Sequence, residues 1–345
     1  MTSGGDAPGM NAAIRAVVRS GLYHGFEVYG IQRGYEGLLD GGITEMNNHS
    51  VSNIINRGGT ILKTARSKVF NTPDGVQRGK AMAEIFRLDA IVVIGGDGSF
   101  RGARDLHRVG VPVIGIPATI DNDIGCSDYT IGYDTAMNTV IELVDKLRDT
   151  CESHARCNVV EVMGRGAGDI ALNTAIALGA SAVVVPEFPH DDNSICKRIK
   201  HAKELGKRSF IVIVSEGVGS EYAPALAKKI EAETGVETKF ARLAHIVRGG
   251  NPTLRDRVLA SKMGVYAVEE LLRGNSNKVI CERNGDICAV DIAYSHVIDR
   301  MYKGKLTEGE LDQFTPETIK LMEEELNEKR QELLSLYTTE NKINL

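Results

Sequence analysis

Asp121 and Asp123 stand two residues apart in PATIDND, directly after an apolar run that stops at Pro117. On an extended chain such residues point to one side. One carboxylate of the pair can take the proton of an attacking hydroxyl while the other assists Mg2+, a division of labour suited to phosphoryl transfer. In isolation the same residues also describe an acidic turn closed by Asx hydrogen bonds, the commoner use of such a sequence. Gly95-Gly96-Asp97-Gly98-Ser99 follows a second apolar run and opens a helical pattern. Gly96 and Gly98 leave room for phosphates against the backbone, and Asp97 places a carboxylate where it can hold Mg2+. The plainer reading is a strand-to-helix turn capped by Ser99. GGDGS alone serves sugar kinases, NAD kinases and lipid kinases equally.

The chain opens on TSGGDAPGMN, whose glycines can bring backbone N–H groups to an anion at a helix N-terminus. Met163-Gly164-Arg165-Gly166 puts a guanidinium just past another apolar run, where it can stabilise charge on a phosphoryl in transit. Arg66, Arg156, Lys239, Arg242, His245 and Arg248 are spread along the chain. Each alone reads as solvated surface, but together they can line a sugar-phosphate site, since Arg grips phosphate with two donors.

These residues need elements to hold them. Residues 88–94, 111–116, 159–162, 182–185 and 209–214 are short apolar runs, the pattern of parallel strands covered on both faces. Between them lie helical patterns, over 134–150 with Met137, Val140, Ile141, Val144 and Leu147 on one face, and over 255–272. Asp134 is the expected N-cap of the first. Strand–helix alternation predicts an open α/β sheet with ligands at the carboxyl ends of its strands, where the unusual residues lie. From Thr315-Pro316 onward an acidic amphipathic helix is predicted, at the surface or an interface.

A chain of 345 residues suggests two domains. A net charge of −5 does not suggest a nucleic-acid binder, which would show a clustered basic excess, and leaves room for a local basic pocket for an anionic substrate. Cys126, Cys151, Cys157, Cys196, Cys281 and Cys288 form no CxxC pair and no zinc-spaced cluster, so reduced thiols are expected. No apolar run approaches the ~20 residues of a membrane span, and a cytoplasmic location is expected.

With its motifs in this order and spacing (TSGGDAPGMNAAIR, GGDGS, TIDND, VVEVMGR and HIVRGGNP), the chain resembles the bacterial ATP-dependent 6-phosphofructokinases from Thr2 to about Arg300. The resemblance implies two similar three-layer α/β domains with mostly parallel sheets. The nucleotide domain would take 1–132 and about 247–300, the sugar-phosphate domain 133–246 and about 301–314, with 315–345 as a helical tail. It implies transfer of a phosphoryl group from ATP with Mg2+ to the 1-hydroxyl of fructose 6-phosphate. Asp121 is then the general base, supported by Thr119 and Asp123. Arg165 stabilises the transition state with Arg66. Gly5, Tyr35, Arg66, Gly96, Asp97, Gly98, Ser99 and Gly102 form the ATP site, with Asp97 and Asp123 near the metal. Thr119, Asp121, Met163, Gly164, Arg165, Glu216, His245 and Arg248 contact the sugar phosphate. Arg156 and Lys239 reach the site from a neighbouring subunit, which implies a homotetramer. Arg15, Arg19, Arg148 and Lys207 match part of the family's effector site.

The chain departs from the pattern at several positions. Lys239 replaces an Arg, a point charge for a bidentate fork, and Arg242 nearby offers partial compensation. Ala118 replaces a Gly. Asn48, Ser181 and Leu205 replace effector-site Arg, Glu and Lys. A strand of roughly five or six apolar residues is expected ahead of TSGG. The competing readings are the same fold using pyrophosphate, an NAD or lipid kinase built on GGDGS, and a weakly active or non-catalytic regulatory subunit.

Overall fold

In IVVIG, VIGIP, CNVVEV, AVV and FIVIVS nearly every side chain is buried. A sheet covered on one face would leave half of them in water, whereas parallel strands clad by helices do not. The computed structural model describes residues 1–343 and distributes these runs over two sheets in two compact units.

The elements begin with α1 (Met10–Tyr23), β1 (Val28–Ile31), α2 (Gly34–Asp40), β2 (Ile43–Met46), α3 (Pro73–Ile85), β3 (Ile91–Gly95), α4 (Asp97–Arg108) and β4 (Val113–Pro117). There follow α5 (Tyr133–His154), β5 (Cys157–Val162), α6 (Asp169–Leu178), β6 (Ala182–Val184), α7 (Asp192–Glu204), β7 (Phe210–Ser215), α8 (Tyr222–Thr234) and β8 (Thr238–Arg242). Last come α9 (Leu254–Leu272), β9 (Lys278–Arg283), β10 (Asp286–Asp291), α10 (Ile292–Tyr302) and α11 (Pro316–Ile343).

The first unit comprises Met1–Ile120, Ile124–Thr135 and Arg248–Leu326. Its sheet has the order β10-β9-β4-β3, with β3, β4 and β9 parallel and β10 returning antiparallel. The return runs through Asn284-Gly285, both at positive φ, as a tight hairpin requires. Thr2 bridges Ile94 on the outer side of β3, and the Ser3 amide donates to the Ile94 carbonyl at 3.0 Å. Helix α1 packs along α9, and α4 packs with α3 and α10. The second unit comprises Asp121–Asp123, Ala136–Val247 and Asn327–Leu345. Its sheet, β6-β7-β5-β8, is parallel throughout. Phe210, Val212 and Val214 pack there with Ile195, Ile199, Leu226 and Ile230. Among the described residues, no helix is long and apolar enough to cross a membrane.

The strands expected over 88–94, 111–116, 159–162, 182–185 and 209–214 and the two long helices form, with ends shifted by at most four residues. One expectation fails locally. Asp134 lies inside the first turn of α5 rather than at its cap. Its carboxylate accepts from the Thr253 hydroxyl at 2.6 Å and the Tyr129 hydroxyl at 3.2 Å, and Gly132, at φ 103, makes the break before the helix.

Candidate functional site

In the first unit, β3 hands the chain to α4 through Gly95 and Gly96. A Cβ on Gly95 would stand 2.4 Å from the Ser3 carbonyl, so only glycine lets the opening loop lie against this turn. Ser99 secures the contact, its hydroxyl donating to the Ser3 carbonyl at 2.9 Å. Thr64 holds the same loop from the other side by donating to the Gly4 carbonyl, and the segment after it carries the exposed Arg66. A Cβ on Gly5 would meet the Arg248 guanidinium at 2.8 Å, and Arg248 donates to the Asp6 carbonyl at 3.3 Å. Around a Cβ on Gly98 the space is open, with only the Arg101 guanidinium at 3.6 Å. Asp97, in the first turn of α4, has Arg101 at 3.6 Å and Lys303 at 3.8 Å. Tyr35 is buried beneath α4, stacked on Phe70, and its hydroxyl donates to the Ser99 carbonyl at 2.5 Å. Gly102 permits that approach, since a Cβ there would come within 2.5 Å of the ring. Tyr35 and Gly102 thus shape the helix that carries Asp97 and Gly98. The neighbouring Ala118 is fully buried and donates its amide to the Gly95 carbonyl at 3.0 Å, and Thr119 is buried with its carbonyl bound by the Thr130 hydroxyl.

In the second unit, Asp121, Asn122 and Asp123 form a buried turn with Asn122 at φ 51, the left-handed region that Asn tolerates better than most residues. The Arg165 guanidinium stands 3.8 Å from the Asp123 carboxylate. Arg165 itself has φ 59 and follows Gly164 at φ 148. The Glu216 carboxylate stabilises this loop by accepting from the amides of Gly164 at 3.3 Å and Arg165 at 2.8 Å. Met163 is buried at the end of β5, and His245 is exposed. Arg156 and Lys239, on the adjacent strands β5 and β8 and their approaches, meet at Glu237, at 2.7 and 2.9 Å. The hydrogen bond from Arg156, and then that from Lys239, hold the Glu237 carboxyl down at about 2. Arg242 does not join them. It grips the buried Glu161 carboxylate with two donors, at 2.6 and 3.2 Å, so the compensation expected for Lys239 has no free guanidinium to supply it.

The effector-site candidates fall into two pairs. Arg15 and Arg19 lie one turn apart on α1, and burial followed by the Arg19 charge lowers the Arg15 pKa. Arg148 donates to the Leu178 carbonyl, and Lys207 donates to the Ser181 hydroxyl at 3.4 Å. Burial, then the Arg148 charge, lowers the Lys207 pKa.

Three supporting residues carried no sequence signal. Asp256 accepts from the amides of Gly132 and Thr135, both at 2.8 Å, and burial pushes its carboxyl up to about 6. Asn122 donates to the buried Asp169 carboxylate at 3.4 Å. Lys329, on α11, donates to the Asn122 carbonyl at 3.1 Å. A separate cavity of about 670 Å³, lined by Met1, Ile14, Val18, Glu27, Arg87 and Val268 among others, takes none of the candidate residues.

For magnesium, the fit rests on the donor set. Among the described residues no three His, Cys, Asp or Glu side chains gather into a metal-binding group, and the candidate carboxylates are Asp97 in the first turn of α4 and Asp123 in the buried turn of the second unit. That suits Mg2+, which keeps several waters and takes one or two carboxylates plus phosphate oxygens.

The phosphofructokinase family model matches residues 1–271. An ATP-dependent 6-phosphofructokinase of Clostridium botulinum is 52% identical over 306 residues, covering 89% of this chain and 95% of the relative. The structure of phosphofructokinase from Saccharomyces cerevisiae superposes with a TM-score of 0.83 at 32% identity, covering 94% of this chain and 49% of that one, so the chain spans about half of the yeast subunit. A pyrophosphate-dependent phosphofructokinase from Marinobacter aquaeolei shares the fold with a TM-score of 0.73 at 23% identity, over 84% of this chain and 81% of that one. With a family model across most of its length and a relative this similar end to end, the chain belongs to the phosphofructokinase family.

Proposed function

We propose that this protein transfers the terminal phosphoryl group of ATP to the 1-hydroxyl of fructose 6-phosphate, giving fructose 1,6-bisphosphate and ADP, a glycolytic step. The observation that carries the proposal is the buried Asp121-Asn122-Asp123 turn with Arg165 at 3.8 Å from Asp123, on a chain 52% identical to an enzyme named for this activity. Asp121 takes the proton of the attacking hydroxyl, with Thr119 and Asp123 in support. Arg165 and Arg66 face the charge that develops on the transferring group. The loop at Gly5, the turn at Gly96, Asp97, Gly98 and Ser99, and the Tyr35–Gly102 contact form the nucleotide side. Met163, Gly164, Glu216, His245 and Arg248 hold the sugar phosphate. Glu216 does so through the loop amides it fixes.

Asp97 and Asp123 are the residues that would hold Mg2+, which enters with ATP and supplies charge neutralisation at the phosphates. Arg156 and Lys239, gathered by Glu237, serve the sugar-phosphate site of a neighbouring subunit in a homotetramer. The cytoplasm is the compartment of both substrates, and the six free cysteines accord with its reducing character. Arg15, Arg19, Arg148 and Lys207 remain as a partial effector site, weakened by Asn48, Ser181 and Leu205. The open space at Gly98 favours ATP over pyrophosphate as donor, because the α-phosphate can pass there.

The test is the product. Purified protein with ATP, Mg2+ and fructose 6-phosphate should yield ADP and a sugar whose new phosphate sits on carbon 1, read by phosphorus NMR. No turnover, or a phosphate on another hydroxyl, overturns the proposal.

A further inference from the structure

We infer that Lys329, on the C-terminal helix α11, is a positioning residue for the carboxylate turn, holding Asp121 and Asp123 through the peptide between them. The inference rests on the reading of that turn as the proton-accepting site.

The turn needs an external brace. Asn122 sits at φ 51, a conformation that costs a non-glycine residue free energy unless its surroundings enforce it. Two contacts enforce it within the second unit. The Asn122 side-chain amide donates to the Asp169 carboxylate at the start of α6, at 3.4 Å. The Lys329 ammonium donates to the Asn122 carbonyl at 3.1 Å. One contact takes the side chain and the other the backbone, so together they fix both the rotation of the residue and the direction of its carbonyl. The two braces are themselves linked by charge. Burial raises the Asp169 pKa, and Lys329 is the largest influence opposing that rise. Lys329 therefore places a positive charge near the buried carboxylate that accepts from Asn122.

The placement has a consequence for the family. The matched family model ends at residue 271, whereas α11 begins at Pro316. A helix beyond the matched residues thus reaches back 207 positions to the peptide bond between the two carboxylates. A shift of the turn by a fraction of an ångström would misalign a proton acceptor while leaving the sugar-phosphate contacts in place.

The experiment compares wild type, Lys329→Met, Lys329→Arg and the neighbouring surface variant Glu328→Gln in the full chain. Two readouts are taken: steady-state kinetics with ATP and fructose 6-phosphate, and hydrogen–deuterium exchange over residues 118–126. Lys329→Met should lower kcat by about tenfold, the scale of one hydrogen bond from a charged donor. The KM values should stay unchanged, the melting temperature should fall slightly because a buried carbonyl loses its donor, and exchange over 118–126 should quicken. Lys329→Arg should restore most of kcat, and Glu328→Gln should match wild type. Wild-type kcat and wild-type exchange in Lys329→Met overturn the inference, as does an equal loss in Glu328→Gln. If exchange quickens in Lys329→Met while wild type shows no phosphoryl transfer, the brace stands and the proposed function falls.

Discussion

Asp121→Ser removes the proposed proton acceptor while keeping a small polar side chain in a buried turn. kcat should fall by at least ~10²-fold, the lower range for a lost general base, with KM for fructose 6-phosphate little changed. Near-wild-type kcat would reassign the base. Gly98→Asp tests the donor side. A Cβ at Gly98 meets only the Arg101 guanidinium at 3.6 Å, so the variant should fold with an unchanged melting temperature. Its carboxylate adds bulk and like charge beside the proposed phosphate path, so KM for ATP should rise. An unchanged KM would place the α-phosphate elsewhere. Arg242→Gln separates structure from binding. Glu161 is buried and loses a bidentate partner, which should lower the urea midpoint. The loss stays below that of a fully buried pair because Arg242 itself is exposed. If KM for fructose 6-phosphate rises while urea stability holds, Arg242 belongs to the sugar site after all.

At the scale of elements, α10 packs against α4 and brings His296 near Arg104. Burial first, and then the Arg104 charge, hold the imidazole down from 6.5 to about 4. In the unfolded chain it takes a proton below 6.5, whereas the folded one does so only near 4. Its contribution to stability is therefore present above pH 6.5 and is lost as pH falls through that window. His296→Gln should reduce the drop in urea midpoint between about pH 7 and about pH 5. An equal drop in the variant would show that His296 is not responsible. The same scale explains what could be read in advance. β3, β4, β6 and most of β7 are continuous apolar runs, β5 is apolar but for Asn158 and Glu161, and the sequence pattern locates each of them. β8 reads TKFAR with one buried residue, and β10 reads DICAVD with none fully buried, so neither carries a periodic signal that stands out from a loop. The candidate residues Asp97, Asp121 and Arg165 could be singled out from sequence because each sits in a local motif next to a strand end. Lys329 and Asp169 could not, because their contacts with Asn122 cross 207 and 47 positions and depend on the finished fold.

For the whole molecule, Arg156 and Lys239 stand together at Glu237, and the proposal sends both to a neighbouring subunit's site. Chains carrying Asp121→Ser and chains carrying Arg156→Gln should each be nearly inactive alone. Refolded together, they should recover a fraction of activity, because some sites then receive Asp121 from one chain and Arg156 from another. No recovery would confine each site to one chain. The choice of donor bears on the central claim most directly. The curated relative at 52% identity is named for ATP, while the pyrophosphate-dependent structure shares the fold at 23%. Gly98 and Ala118 are both small and uncharged, which in the proposed nucleotide site leaves an α-phosphate room and supplies no extra cation for a small, highly charged donor. The deciding measurement is kcat/KM for ATP and for pyrophosphate, with saturating fructose 6-phosphate and equal free Mg2+. A strong preference for ATP is expected, and a value for pyrophosphate that equals or exceeds that for ATP would contradict the account.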